Sequence, residues 1–469
     1  MDFKNKKVLI FGFGVLGGGL ATTNWLLEQG AQVTATDLKT QEQLADSLSK
    51  IEGQVELRLG GHSKKDIEGN DIIVVNPDVS IRNEFIQYAL ELGKDVVNEA
   101  IIFFKNFGRP IIAVTGTRGK TTTAAWTEYF LKSKFKSSIA GNSTTHPFLK
   151  VLGQAAEFDM AVAEISSFHL ELFDQAKIIG PSIAVITNIF QDHLNRHQTL
   201  EEYVRVKANI FKYQTSNDNL VLNYDNKWTQ FFLTQKPQAK LWYFSGQALP
   251  AGHNGVWSDA EAIYFRTADK EAKVLALSDS VLMRGEHNIY NLLVSALSAH
   301  LAGCSWKDIQ SRIDSLPEIP FRQEMIIKTD ILTVVNDTTA TSPEGTIQAL
   351  KRFGSLETIL IIGGTDKALD FTELGEIIPK FIQPSNIVLL AGSATEKIRL
   401  ALGEFAANCP VYDSLQECVE IAFKKSGQYP QSVVLFSPAS KSFDKFKNEY
   451  DRGEQFNKLV KRYHGQNTA

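Results

Sequence analysis

Apolar residues gather in short runs along this chain rather than spreading evenly. Residues 8–11, 32–36, 71–76, 110–114, 160–164 and 183–188 form one series, and residues 332–336, 359–364, 387–392 and 433–437 a second. The runs are rich in valine and isoleucine and mostly lack the alternation of a strand with one wet face, so they predict strands buried on both sides. Stretches of helical spacing lie between them. Such alternation predicts an α/β architecture of mostly parallel sheets covered by helices. After Asn223 the pattern changes: residues 240–284, with glycine, tryptophan, tyrosine and short β-rich runs, predict a smaller antiparallel excursion. Residues 316–320 hold two prolines and read as a linker before the second series. A chain of 469 residues exceeds what one core serves. Three domains are expected: a Rossmann-like one over residues 1–105, a central P-loop ATPase with a mostly parallel sheet over residues 106–317, and a C-terminal Rossmann-like α/β domain over residues 318–469.

Glycines at the ends of two runs turn the question from architecture to ligands. Gly12-Phe13-Gly14-Val15-Leu16-Gly17 follows the first run and opens a helix, and Asp37 ends the next run about twenty residues later. A G-x-G-x-x-G turn alone is a weak signal, because a glycine turn is often structural. With a strand before it and Asp37 after it, it points to a nucleotide diphosphate at a helix N-terminus. By itself this segment also fits a nicotinamide-dependent dehydrogenase.

Thr115-Gly116-Thr117-Arg118-Gly119-Lys120-Thr121-Thr122-Thr123 follows residues 110–114 and leads into Ala124-Ala125-Trp126. Strand, glycine turn and a Lys-Thr helix start predict a nucleoside triphosphate site. The glycines let N–H groups face phosphate oxygens, Lys120 brings a cation to the outer phosphates, and Thr121 offers a hydroxyl to Mg²⁺. A glycine-rich turn with a chance lysine is the bland alternative. The dehydrogenase reading leaves this loop unexplained.

Composition narrows the partners. The 49 Lys and Arg against 53 Asp and Glu give a net charge of -4, which argues against a nucleic-acid surface built on bulk positive charge. Cys304, Cys409 and Cys418 form no C-x-x-C pair, so neither a disulfide framework nor a cysteine zinc site is expected. The start of the chain lacks a signal-peptide apolar stretch, and no segment approaches about 18 consecutive apolar residues. A cytoplasmic protein is expected, with neither membrane nor nucleic acid as partner.

Other residues stand at strand ends, where open α/β sheets place their ligands. Glu164 ends the run 160–164 and suits Mg²⁺ beside a triphosphate, the plain alternative being an acid facing water. Asp192 and His193, beyond residues 183–188, offer a second metal ligand or a charge partner. Lys207, in Tyr203-Val204-Arg205-Val206-Lys207-Ala208, reads by helical periodicity as a surface lysine. Asn288 and Asn291 lie at a helix start and read as a cap, with amides that both donate and accept.

As a set, these pieces resemble the Mur ligases, the ATP-dependent amino-acid-adding enzymes of bacterial peptidoglycan synthesis. The resemblance rests on residues 116–122, Glu164-Ile165-Ser166-Ser167-Phe168, residues 188–193, Lys207, residues 285–291, Phe321-Arg322, Asn336-Asp337, residues 363–367 and residues 437–440, in that order over nearly the whole chain. The glycine turn of the first domain, Asp370, and the tail over residues 442–456 look most like the glutamate-adding members.

The resemblance implies a monomeric ligase that joins D-glutamate to UDP-N-acetylmuramoyl-L-alanine through an acyl phosphate, at the expense of ATP. It implies that Gly12, Gly14, Val15, Leu16 and Asp37 hold the UDP end, with Asn142 and Ser166 also on the nucleotide sugar. It implies that Gly116, Thr117, Arg118, Gly119, Lys120, Thr121 and Thr122 hold the ATP phosphates, that Asn288 and Asn291 meet adenine, and that Arg322 and Asp337 touch the nucleotide. Thr121, Glu164, His193 and a carbamylated Lys207 would hold Mg²⁺, and Lys120, Glu164, His193 and Lys207 would be catalytic. Thr341, Lys367, Ser442 and Tyr450 would hold glutamate. Three departures stand out: Thr339 where many members have lysine, Phe321 where histidine is usual, and an altered Ser143-Thr144 after Asn142. Another Mur-type ligase or a folylpolyglutamate-type ligase is the alternative, although in the latter the phosphate loop normally lies near the chain start.

Overall fold

A computed structural model describes residues 1–15, 17–141, 146–259, 261–268, 270–282 and 284–467. Leu16 and Asn142, both expected at the nucleotide sugar, lie outside the described residues. Among the described residues the strands form three sheets, of five, nine and six strands. The three-domain α/β architecture read from the sequence is the one observed.

The first sheet is parallel throughout, in the spatial order Glu56–Leu59, Gln32–Asp37, Lys7–Phe11, Ile72–Val75, Asp95–Val97. Val8, Leu9, Ile10 and Phe11 of its middle strand are all buried, as a strand covered on both faces requires. Chain order reverses beside that strand, and such a switch point opens a crevice at the carboxyl ends of the strands.

The central sheet runs Lys270–Ala276, Ala262–Thr267, Gly255–Ser258, Lys240–Ser245, Asn219–Asn223, Ile183–Ile186, Ile111–Thr115, Met160–Glu164, Ser137–Gly141. Here the expectation for residues 240–284 needs correction. Lys240–Ser245 and Gly255–Ser258 extend the main sheet in parallel, and only Ala262–Thr267 and Lys270–Ala276 run antiparallel. Tyr243, Phe244 and Val256 are buried, so these strands belong to the core and not to an excursion from it. Trp257 stacks on Tyr264 with ring centroids 5.6 Å apart, which fastens the antiparallel pair to the sheet.

The third sheet runs Glu324–Lys328, Leu332–Asn336, Ser432–Phe436, Thr358–Ile362, Ile387–Leu390, Val411–Tyr412, with only the first pair antiparallel. Its two edge strands do not stand out as apolar runs, because Glu324–Lys328 is partly exposed with charged ends and Val411–Tyr412 is only two residues long.

The chain falls into two compact units. One, Met1–Leu282 with Asn288–Leu316, contains the first and central sheets; the other contains the third sheet. Within the first unit, Arg196 binds the two sheets' connections together. Its Nε and Nη2 donate to Glu171 at 2.8 and 2.7 Å, and its Nη1 and Nη2 donate to the carbonyls of Asp78, Pro77 and Val79 at 2.7, 3.0 and 2.8 Å. No helix among the described residues is long and apolar enough to cross a membrane. The three cysteines are buried free thiols.

Candidate active site

Past the strand Ile111–Thr115 the chain turns through Gly116 and Gly119 into the helix Lys120–Leu131. Only glycine fits either position. Gly116 has φ +147° and a Cβ there would lie 1.9 Å from Thr187 Oγ1; Gly119 has φ +82° and a Cβ would lie 2.3 Å from Asn291 Oδ1. The neighbouring strand Ile183–Ile186 delivers Thr187 and Asn188 to clamp the loop. Thr187 Oγ1 donates to the Arg118 carbonyl at 2.7 Å, and Asn188 Oδ1 accepts the Arg118 N–H at 2.9 Å. Thr117 N–H donates to the Asn188 carbonyl at 2.9 Å. Sequence alone named this segment without a role for either residue.

Lys120 Nζ folds back onto the carbonyls of Gly116 and Thr117, both at 3.1 Å. Thr121 Oγ1 donates to Glu164 Oε1 at 3.0 Å, so the helix start and the end of Met160–Glu164 meet as expected. Thr122 lies in the same first helical turn. Asn291 is buried beside the loop, accepts from Thr123 Oγ1 at 3.4 Å and donates to Asn288 Oδ1 at 3.0 Å.

Lys207 corrects the reading made from periodicity. It is 1 % exposed, on the inner face of the helix Leu200–Ala208. Its Nζ donates to the Gly116 carbonyl at 2.9 Å and to Thr115 Oγ1 at 3.3 Å, and lies 4.6 Å from the Tyr203 ring centre. Burial first, and then the Lys120 charge, lower its pKa well below the ordinary lysine value, against the pull of Asp192. Helical spacing misjudged it because a long aliphatic stem packs like an apolar residue.

Asp192 pairs with Arg118 Nη1 at 2.9 Å, which ties the phosphate loop to the segment carrying His193. His193 takes a left-handed φ of +53° and packs edge-on against Phe168, with centroids 4.9 Å apart. Beside it His197 is buried, its Nε2 3.0 Å from Ser167 Oγ, and burial lowers its pKa to about 4. Among the described residues no three His, Cys, Asp or Glu side chains gather as a metal site.

At the first sheet, both carboxylate oxygens of Asp37 accept backbone N–H groups. Oδ2 accepts the Gly14 N–H of the glycine turn at 2.7 Å and Oδ1 the Lys39 N–H at 2.8 Å. Gly12 N–H donates to the Thr36 carbonyl at 2.9 Å, and Val15 is exposed.

In the second unit, Asp337 is buried at the end of Leu332–Asn336. It accepts from Ser437 Oγ at 2.7 Å and from the Gln323 N–H at 3.1 Å. Burial raises its pKa to about 7, while these bonds and the charges of Arg322 and Arg352 act the other way. The loops carrying Lys367 and Ser442 lie side by side, since Thr365 and Lys441 exchange backbone hydrogen bonds at 3.0 Å. Ser442 is buried, and its hydroxyl has no partner among the described residues. Thr341 N–H donates to the Thr339 carbonyl at 2.9 Å, and Tyr450 packs edge-on against Phe321 at 6.1 Å. Arg452, a residue without a role in the sequence reading, holds these loops. It is fully buried and donates to Thr338 Oγ1, the Thr338 carbonyl, the Ser440 carbonyl and the Lys441 carbonyl at 3.0, 2.7, 3.1 and 3.1 Å. A lone arginine in a polar helix carries no sequence signal for such a role.

A glycine turn at one parallel sheet and a phosphate-type loop at a second define a nucleotide-handling α/β protein. The model of the Mur ligase middle domain matches residues 114–299, and that of the Mur ligase MurD-like N-terminal domain matches residues 6–98. The UDP-N-acetylmuramoylalanine--D-glutamate ligase of Roseiflexus sp. strain RS-1 is 33% identical over 99% of this chain and 100% of its own length. The enzyme of the same name from Clostridioides difficile strain 630 is 32% identical over 97% of this chain and 98% of its own. Among solved structures, UDP-N-acetylmuramate-alanine ligase from Thermotoga maritima superposes with a TM-score of 0.59 at 17% identity, over 98% of this chain and 100% of that one. The MurF ligase from Thermotoga maritima in complex with ADP gives 0.58 at 18% identity, over 98% and 96%. The chain belongs to the Mur ligase family.

Proposed function

We propose that this protein is the ATP-dependent ligase that joins the amine of D-glutamate to the L-alanyl carboxylate of UDP-N-acetylmuramoyl-L-alanine, in peptidoglycan precursor synthesis. The observation that carries the reading is the likeness, over nearly the full length of both chains, to relatives bearing that activity in their names. The reading makes the protein a cytoplasmic monomer, with residues 1–105 taking the nucleotide sugar, residues 106–317 ATP and residues 318–469 the amino acid.

An amine does not displace a carboxylate oxygen at useful rates, so the carboxylate is first phosphorylated by the γ-phosphoryl group of ATP. The amine attacks the acyl phosphate, and the tetrahedral intermediate expels phosphate. The N–H groups of residues 116–122 and the Lys120 ammonium would hold the phosphates and offset the charge that develops on them. Asn288 and Asn291 would meet adenine, and Arg322 and Asp337 the nucleotide. Gly12, Gly14, Val15, Asp37 and Ser166 would hold the nucleotide sugar.

The residues fit Mg²⁺. Thr121 and Glu164 bring two oxygens within 3.0 Å, and a hard cation takes oxygen ligands. Lys207 holds a buried amine with its pKa lowered, the form that adds to CO₂ with loss of a proton and becomes a carbamate. That carbamate and His193 would complete the donor set. When bound, the ion would neutralise phosphate charge. On the glutamate side, Lys367 would pair with the side-chain carboxylate, the buried Ser442 hydroxyl would donate to it, and Thr341 and Tyr450 would line the site.

Phosphate release from ATP tests this with UDP-N-acetylmuramoyl-L-alanine and each enantiomer of glutamate. Release should need both co-substrates and the D enantiomer. Equal release with L-glutamate would overturn the assignment.

A further inference from the structure

The order of the first sheet reverses between Lys7–Phe11 and Ile72–Val75, so its crevice opens between the loops that follow these two strands. One wall is the glycine turn, and the other is the loop from Asn76 to Arg82. The two walls touch. A Cβ on Gly12 would lie 3.1 Å from Val79 Cγ2 and 3.2 Å from Asn76 Cβ, and one on Gly14 would lie 3.1 Å from Asn76 Nδ2. The seat of Asn76 and Val79 therefore bears directly on where the N–H groups of the turn point.

This second wall is held from the connections of the central sheet. Arg196 Nη1 donates to the Asp78 carbonyl at 2.7 Å, and Nη2 donates to the carbonyls of Pro77 and Val79 at 3.0 and 2.8 Å. Nε and Nη2 also donate to Glu171, whose carboxylate accepts the Ile81 N–H at 3.4 Å. The guanidinium lies 4.5 Å from the Phe168 ring centre. The Arg196 and Glu171 side chains are 9 % and 7 % exposed, so this is not the weak, screened kind of pair found at surfaces. Arg82 answers from the far end of the loop. Its Nη1 donates to the Arg196 carbonyl at 2.9 Å, and it pairs with Glu202 of the helix Leu200–Ala208. A guanidinium stays charged and its donors form a rigid planar fork, so its donor pattern is fixed. Three successive carbonyls on one fork fix the course of the main chain, which a single point charge cannot do.

We propose that Arg196 is a positioning residue for the nucleotide-sugar site: from the central domain it sets the loop 76–82 against the glycine turn, and so completes a crevice that residues 1–105 do not build alone. The proposal rests on the ligase reading above.

The test compares the full-length wild type with Arg196→Lys and with Arg196→Met combined with Glu171→Gln, a pair of changes that removes both partners and strands neither charge. Calorimetry gives the Kd of UDP-N-acetylmuramoyl-L-alanine and of ADP, and mass spectrometry gives amide hydrogen exchange over residues 76–83 and 111–115. Both variants should exchange faster over 76–83 only. Both should bind the nucleotide sugar about tenfold more weakly, because binding must then order the loop. The Kd of ADP, measured without Mg²⁺ so that His193 does not enter, should stay within about twofold of the wild type. Arg196→Lys supplies the charge that Glu171 needs but not the fork, so it should not rescue the affinity. Unchanged exchange over 76–83 would overturn the brace. Faster exchange with unchanged nucleotide-sugar affinity, a rise that extends to 111–115, equal losses for both nucleotides, or rescue by Arg196→Lys would overturn the positioning role. A wild type that binds no nucleotide sugar would overturn the ligase reading itself, while the exchange over 76–83 still decides the brace.

Discussion

Lys120 and Lys207 converge on one acceptor: each donates its Nζ–H to the main-chain carbonyl of Gly116, at 3.1 and 2.9 Å. Burial first, and then the like charge of Lys120, hold the Lys207 pKa well below the ordinary lysine value. The phosphate loop thus has a lysine at its first helical residue and a buried amine of lowered pKa beneath it, joined at one carbonyl.

Lys207 should make the fold weaker in acid. Its folded pKa lies well below the unfolded value of about 10.4, so between the two the unfolded chain binds a proton that the fold does not. Stability then rises with pH through that window and is complete above the unfolded pKa. Lys207→Met abolishes this proton uptake. In CO₂-free buffer its melting temperature should exceed the wild type's most at low pH, with the gap shrinking as pH rises toward the unfolded lysine pKa. A gap independent of pH would rule out the lowered pKa of the buried amine.

Lys207→Ala should be inactive, and acetate should restore part of the activity by supplying a carboxylate where the proposed carbamate would stand. Full activity of the Ala variant without acetate would remove the carbamate from the mechanism.

Gly119→Ala should damage both stability and ATP use. A left-handed non-glycine residue costs roughly 1–2 kcal/mol, and here the added Cβ also meets Asn291 Oδ1. Urea unfolding should show at least that loss, and the ATP KM should rise. Adding Asn291→Ala should recover the steric part of the stability and leave the backbone part.

Lys367→Ala should raise the glutamate KM by roughly thirty- to hundredfold, the equivalent of about 2–3 kcal/mol for a charge-assisted contact. The KM values for ATP and the nucleotide sugar should stay put. Equal changes in all three would point to a folding defect or a nucleotide role instead.

Asp337 titrates near neutrality in the fold. Its pKa is raised from 3.8 to about 7, so its contribution is fully present below pH 3.8 and is lost as pH rises through about 7. Asp337→Asn should flatten the wild type's decline in denaturant midpoint across that range. A wild-type midpoint that does not fall as pH rises through 7 would contradict the buried, protonatable carboxyl.

Much of the protein was legible from residue order because the signals are local. A buried parallel strand must be apolar on both faces, so residues 8–11, 110–114 and 160–164 announce themselves. A tight turn under a helix start needs glycine, so Gly116 and Gly119 do too, and Lys120 and Thr121 follow by adjacency. The pairing of Thr121 with Glu164 needed only the rule that ligands gather at the carboxyl ends of parallel strands. What residue order left open depends on which distant side chain arrives at a given atom. Lys207 reads as a surface lysine until the helix Leu200–Ala208 turns it onto the Gly116 carbonyl. Residue order gives neither Arg452 nor Arg196 a role, and the fold places backbone carbonyls around both. Local sequence determines backbone conformation and apolar burial, which act over a few residues. The protonation of a buried amine, the direction of a hydroxyl and the partners of a guanidinium are set by desolvation and hydrogen-bond geometry, and these exist only once the sheets have packed.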